Sequence, residues 1–150
     1  MPASQVMDPN PVTVKPTDLI KTAATHIMQH RYRNLPVVDD DSCYMGVFGV
    51  NCLLKLVLPK AAIMEKGLDN ISFIHDTLPD LHERLREVEN QPIEVCMNTE
   101  VETVAPDTPL VETLLILYRT KTSIPVVEPD SCKLLGMISY WDVGEAILSA

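Results

Sequence analysis

The chain has 150 residues, 46% of them hydrophobic, enough to bury an interior as one domain or as two small halves sharing a core. Its formal net charge of -9 offers no basic surface to a polyanion, which excludes nucleic acid as the expected partner. No apolar run reaches the roughly 20 residues of a membrane span. Val50 to Ile63 is broken by Asn51, Lys55, Pro59 and Lys60, and Met1 to Met7 lacks the basic start and apolar core of a signal peptide, so the expected location is the cytoplasm, with no membrane insertion.

In chain order, the β-branched run Val12 to Val14 predicts a strand stopped by Pro16, which has no amide for a ladder. Ile20, Ala23, Ala24, Ile27 and Met28 fall on one helical face and predict a helix. Leu35-Pro36-Val37-Val38 and Tyr44 to Val50, separated by Asp40-Asp41-Ser42, predict a strand pair, and Asn51 to Leu58 a closing helix. Leu78, Leu81, Leu85 and Val88, with charges between them, predict an amphipathic helix from Pro79 to Glu89 in a stretch that begins at Asp76. That helix is either a strut on its own domain or a surface for a partner. The first pattern then returns: Glu102-Thr103-Val104, a helical face of Leu110, Thr113, Leu114, Leu117 and Tyr118, the run from Ile124 to Val127, Gly136-Met137-Ile138, and a closing helix from Tyr140 to Leu148.

The recurrence is an internal repeat. Met7 and Thr13 reappear ninety positions on as Met97 and Thr103, and Gly46 as Gly136; the Pro-Val-Val runs are one residue out of step, so a single-residue length change is expected in the helical region. Three segments follow: a first repeat at 1–60, a connection at 61–92 and a second repeat at 93–150. Cys43, Cys52, Cys96 and Cys132 show no CxxC spacing, so neither a zinc site nor a redox motif is indicated and reduced, partly buried thiols are expected. His26 and His30 have the i, i+4 spacing of a metal pair without a third ligand, so no metal is expected. With no nucleophile elbow and no phosphate loop, the chain is not expected to be an enzyme.

Gly136 to Asp142 carries the most chemistry. Ser139 ends a strand and starts a helix, where a hydroxyl and free amides can hold an anion. Asp142, one turn on, is an acceptor able to take both hydroxyls of a ribose. The same Ser-x-x-Asp is also a capping box that needs no ligand. The first repeat has Gly49 and Cys52 at these positions, which removes both polar groups. Arg31, Arg33, Arg119 and Lys121 are the cations placed to offset an anionic ligand, or simply to sit at solvated helix ends.

Val95-Cys96-Met97, Thr103 to Thr108, Ile124 to Val127 and Gly136 to Asp142 together resemble the cystathionine-β-synthase (CBS) domain, over Val6 to Leu58 and Ile93 to Leu148. The resemblance implies an α+β fold: a Bateman module of two βαββα repeats packed sheet to sheet with pseudo-twofold symmetry. It further implies a regulatory module for an adenine nucleotide or S-adenosylmethionine, with Ser139 and Asp142 on phosphate and ribose. Thr103 and Val104 would then be near base and ribose, Ile124, Pro125 and Val126 would form apolar walls, and Arg33 would face the phosphates. One ligand per chain is expected, in the second-repeat cleft. The partner would be an enzyme or a transporter. Leu53, Leu54, Val57 and Leu58, with Trp141, Val143, Ala146, Ile147 and Leu148, exceed one buried stripe and, with the family's habit of forming discs, predict a homodimer. The alternative is a ligand-free dimerisation or interaction scaffold.

Overall fold

The computed structural model describes residues 2–60, 63 and 77–149. The part of the connection expected at 61–92 that comprises 61, 62 and 64–76, Asp76 included, therefore lies outside the described residues.

Helix α1 spans Ile20–His30 and buries the face made by Ile20, Ala23 and Ile27. It ends at Arg31, which takes a left-handed conformation (φ 55°). Strand β1 (Asn34–Val38) is buried throughout and pairs antiparallel with β2 (Tyr44–Gly49), and α2 (Val50–Val57) closes the repeat. Helix α3 spans Leu78–Val88, and the amide and hydroxyl of Thr77 both donate to one carboxylate oxygen of Asp80 at its start (2.9 Å each). Leu85 and Val88 pack α3 onto the first-repeat core, while Leu78 stays exposed. The second repeat supplies α4 (Leu110–Thr120), an antiparallel pair β3 (Ile124–Val127) and β4 (Leu134–Ile138), and α5 (Tyr140–Ser149). Among the described residues no helix is long and apolar enough to cross a membrane.

The repeats agree closely, and the single-residue length change can be placed. Both first helices have 11 residues and end at left-handed caps, Arg31 and Lys121. The extra residue of the first repeat lies beyond the cap, between Arg31 and Pro36, compared with Lys121 to Pro125.

The strands expected at Val12 to Val14 and Glu102 to Val104 are reduced to single bridging residues. Val14 bridges Val37 and Val104 bridges Val126, each in parallel and each with both ladder bonds made. Proline sets that limit. Extending the first ladder needs an amide from Pro36 on one side and Pro16 on the other, and the second needs Pro125 and Pro106; none has an N–H to give.

The two cores do not follow the chain order. Ala3 and Val6 belong to the second-repeat core, with Val104, Ile116, Leu117, Ile124, Val126 and Ile138, and the amide of Ala3 donates to the Thr108 carbonyl at 2.8 Å. Conversely Ile93 is buried in the first-repeat core beside Ile20, Ile27 and Phe48. Two bridges related by the repeat offset cross between the halves, Asp8 with Met137 and Asn98 with Val47. Gly136 and Gly46 permit them: a Cβ would meet the Asp8 carbonyl oxygen at 2.5 Å in one case and that of Asn98 at 2.7 Å in the other. The halves thus exchange their leading segments about a pseudo-twofold axis.

The cysteine expectation needs correction. Cys43 and Cys132, 89 residues apart, form a disulfide with their Cα atoms 5.0 Å apart; Cys52 and Cys96 are free. The pseudo-twofold brings the two hairpin tips together, where the Tyr44 amide donates to the Cys132 carbonyl at 2.8 Å and the Leu134 amide to that of Ser42 at 3.1 Å. The two cysteines hold equivalent positions in the repeats, after Ser42 and Ser131, but their meeting depends on how the repeats associate, which spacing does not give.

Candidate functional site

At the other end of the strands the two repeats enclose a cleft of about 1500 Å3, more than a small-molecule pocket of about 300–1,000 Å3 requires. Its second-repeat wall is the junction of β4 and α5. There the amide and hydroxyl of Ser139 donate to one oxygen of the Asp142 carboxylate (2.8 and 2.9 Å), and the Asp142 amide donates back to the Ser139 hydroxyl at 3.2 Å. Both side chains are half-buried and line the cleft. They form a capping box with the same carboxylate contacts as Thr77 and Asp80, where the helix start is exposed. Capping occupies one oxygen of Asp142.

Arg33 stands on the seam. Its guanidinium donates to the Lys121 carbonyl at 2.6 Å and lies 5.7 Å from the centre of the Tyr140 ring, whose hydroxyl donates to the Leu117 carbonyl at 2.9 Å. Arg31, Arg33 and Lys121 line the cleft together with the acidic Asp8, Glu100, Glu102 and Asp142, so positive charge is local rather than general. Arg119, the fourth expected cation, makes a two-contact pair with Glu102 (2.8 and 3.0 Å).

The structure does not bring all the expected residues to this cleft. Ser139, Asp142 and Arg33 line it; Thr103, Val104, Ile124, Pro125 and Val126 do not. Ile124 and Val126 fill the second-repeat core, 1% and 0% exposed, and Val104 is held beneath them by its bridge to Val126. Thr103 is exposed elsewhere, and Val101 and Glu102 take the cleft position instead. Sequence reasoning also missed Asn34, Thr122, Tyr140 and Trp141, all in the lining. Trp141, the only tryptophan, is 82% exposed.

The first-repeat wall differs for a steric reason. A Cβ on Gly49 would sit 2.7 Å from the Arg33 carbonyl oxygen and 2.8 Å from the Asn34 Cβ, because the longer segment after α1 presses onto the start of α2. Serine is thereby excluded where Ser139 stands in the other half. Cys52, buried, lines the cleft where Asp142 stands in the other half, so this wall offers no carboxylate there. Behind it, outside the lining, burial and then the neighbouring Cys52 push the Cys96 thiol up to about 11. His26 and His30 lie with ring centres 4.7 Å apart on α1, and no cluster of three metal-ligating side chains occurs among the described residues.

The CBS domain model matches the sequence twice, over residues 3–59 and 85–149. The chain belongs to the CBS-domain family. No curated protein matches it in sequence. Among solved structures this CBS pair is similar to AcuB from Vibrio cholerae, at 21% identity over 99% of this chain and 91% of that one, TM-score 0.74. It is also similar to CBSX2 from Arabidopsis thaliana in complex with AMP, at 24% identity over 99% and 96%, TM-score 0.72. A third similar structure is the CBS domain pair of protein MJ0100 in complex with 5′-methylthioadenosine and S-adenosyl-L-methionine, at 17% identity over 98% and 99%, TM-score 0.65. These likenesses establish the fold of a CBS pair, of α+β class.

Proposed function

We propose that this CBS pair is a regulatory module, without catalytic activity of its own, that binds one adenosyl ligand per chain on the second-repeat wall of the cleft. Binding shifts the relative populations of two arrangements of the repeats, which a partner enzyme or transporter reads, in the cytoplasm. The observation that carries this reading is the convergence of Ser139 and Asp142 with Arg33 on one cleft. Asp142 keeps one carboxylate oxygen for a ribose, and Arg33, over the Tyr140 ring, supplies a cation for the 5′ group. The complexes of CBSX2 with AMP and of MJ0100 with S-adenosyl-L-methionine support the ligand class. Calorimetric titration with AMP and with S-adenosylmethionine tests it: saturable binding at one site per chain is expected, and two equivalent sites or none would overturn it.

A second reading, a ligand-free scaffold, is favoured by the capping box itself, since Ser139 and Asp142 satisfy one another without a ligand. Both readings include a homodimer. Helix α3 packs on α2 but leaves Leu54 and, at the helix end, Leu58 exposed (47% and 39%). Trp141, Ile147 and Leu148 on α5 are 82%, 65% and 88% exposed, so both closing helices offer apolar surface suited to self-association. Light scattering at micromolar concentration is expected to give twice the 16.7 kDa chain mass, and the monomer mass would refute it.

A further inference from the structure

We propose that Cys43 and Cys132 form a thiol–disulfide switch, reduced by a dithiol, whose state sets how freely the two repeats part at the cleft. The pair joins the hairpin tips across the pseudo-twofold axis. Cys132 is exposed and Cys43 half-buried, so the bond is open to exchange. Strand β1 runs from Asn34 and Leu35 in the cleft to Val38 near the tip, and β2 returns to Gly49 in the cleft. A covalent tie at one end of these strands therefore restrains opening at the other. At the cleft end the seam is held by two side-chain bonds, Arg33 to the Lys121 carbonyl and Asn34 to Thr122. After reduction the tips keep the two backbone bonds between Tyr44 and Cys132 and between Leu134 and Ser42, so the contact loosens without coming apart. In a reducing compartment such a disulfide forms transiently, here by the reverse exchange with an oxidised dithiol that takes up the two electrons and two protons, which favours a switch over a permanent staple.

The chemistry balances. A thiolate of the dithiol attacks the Cys132 sulfur, the S–S bond breaks, and Cys43 leaves as a thiolate and takes up a proton. The second thiol of the dithiol then displaces Cys132 from the mixed disulfide. Two electrons and two protons pass to the pair, and the dithiol departs as its own disulfide.

The proposal rests on the reading of the cleft as a ligand site, and the test separates the two. Alkylation of the denatured, unreduced chain is expected to label Cys52 and Cys96 alone, and to label all 4 cysteines after dithiothreitol. Hydrogen exchange of the Val50 amide, which donates to the Arg33 carbonyl, should quicken about fivefold or more with dithiothreitol in the wild type. It should not change in Cys43→Ser/Cys132→Ser. Labelling of all four without reductant, or exchange indifferent to it, would overturn the switch. AMP affinity should differ about fivefold or more between the two states. Equal affinity in both overturns control of the ligand site, whereas no AMP binding in either state, with exchange still responding, supports the switch and refutes the ligand reading.

Discussion

Asn34 of the first repeat reaches across to Thr122 of the second: its side-chain amide donates to the threonine hydroxyl at 2.8 Å, while its own carbonyl oxygen is buried without a hydrogen-bond partner. The bond has no counterpart related by the repeat offset, because the segment carrying Asn34 is the one lengthened by a residue. Removing the acceptor with Thr122→Val leaves both polar ends of a buried amide unpaired and should cost about 1–3 kcal/mol. In a urea-denaturation cycle with Asn34→Ala, a coupling of about 1 kcal/mol is expected, and independent effects would show that the seam does not depend on this bond.

Asp142 has two tasks that separate by substitution. Asp142→Asn keeps an acceptor for Ser139 and should leave stability nearly unchanged, whereas Asp142→Ala should lose about 1 kcal/mol with the helix cap. Both should weaken AMP binding by about 1.5–3 kcal/mol, the worth of hydrogen bonds to a charged group. Asp80→Ala, which removes the similar cap of α3, should leave binding untouched in the same calorimetric assay. Wild-type affinity in Asp142→Asn would reduce Ser139 and Asp142 to a cap.

Tyr44 buries a hydroxyl without a partner, and burial pushes its pKa up from 10.0 to about 12. The folded state favours the neutral phenol, so this group's contribution to stability is complete below pH 10 and is lost as pH rises through about 12. In a spectrophotometric titration, Tyr44→Phe should remove a phenol step near pH 12. The same variant should gain about 1–3 kcal/mol at neutral pH, since an unsatisfied hydroxyl is gone. A loss of stability would mean that the hydroxyl is paired.

The Cys43–Cys132 bond closes a long loop, its ends 89 positions apart in the sequence. Reduction should lower the free energy of unfolding by about 2–5 kcal/mol in denaturant titration. Cys43→Ser/Cys132→Ser should match the reduced wild type and ignore the reductant.

Much of this could be read from residues, and the parts that could not have physical causes. The faces of α1 and α4 stood out because Ile20, Ala23 and Ile27, and Thr113 and Leu117, keep helical spacing and are buried. Ser139 and Asp142 were recognisable because both lie within one turn of one helix, where spacing fixes geometry. The walls of the cleft were not. Ile124, Pro125 and Val126 are all buried, so no polar alternation marks which side faces a ligand, and Thr103 was placed where Glu102 stands. The bridging residues Val14 and Val104 were read as strands because propensity is local, while the missing amides belong to prolines both within and across the ladder. Cys43 and Cys132, like Asn34 and Thr122, meet only through the association of the repeats.

The exchanged leading segments make the molecule one cooperative unit. Unfolding the second repeat withdraws Ile93 from the first core, and unfolding the first strips Ala3 and Val6 from the second. Denaturation is therefore expected as a single transition rather than two. For the same reason a chain cut between α2 and α3 should yield two fragments, each folding poorly alone, that complement one another when mixed.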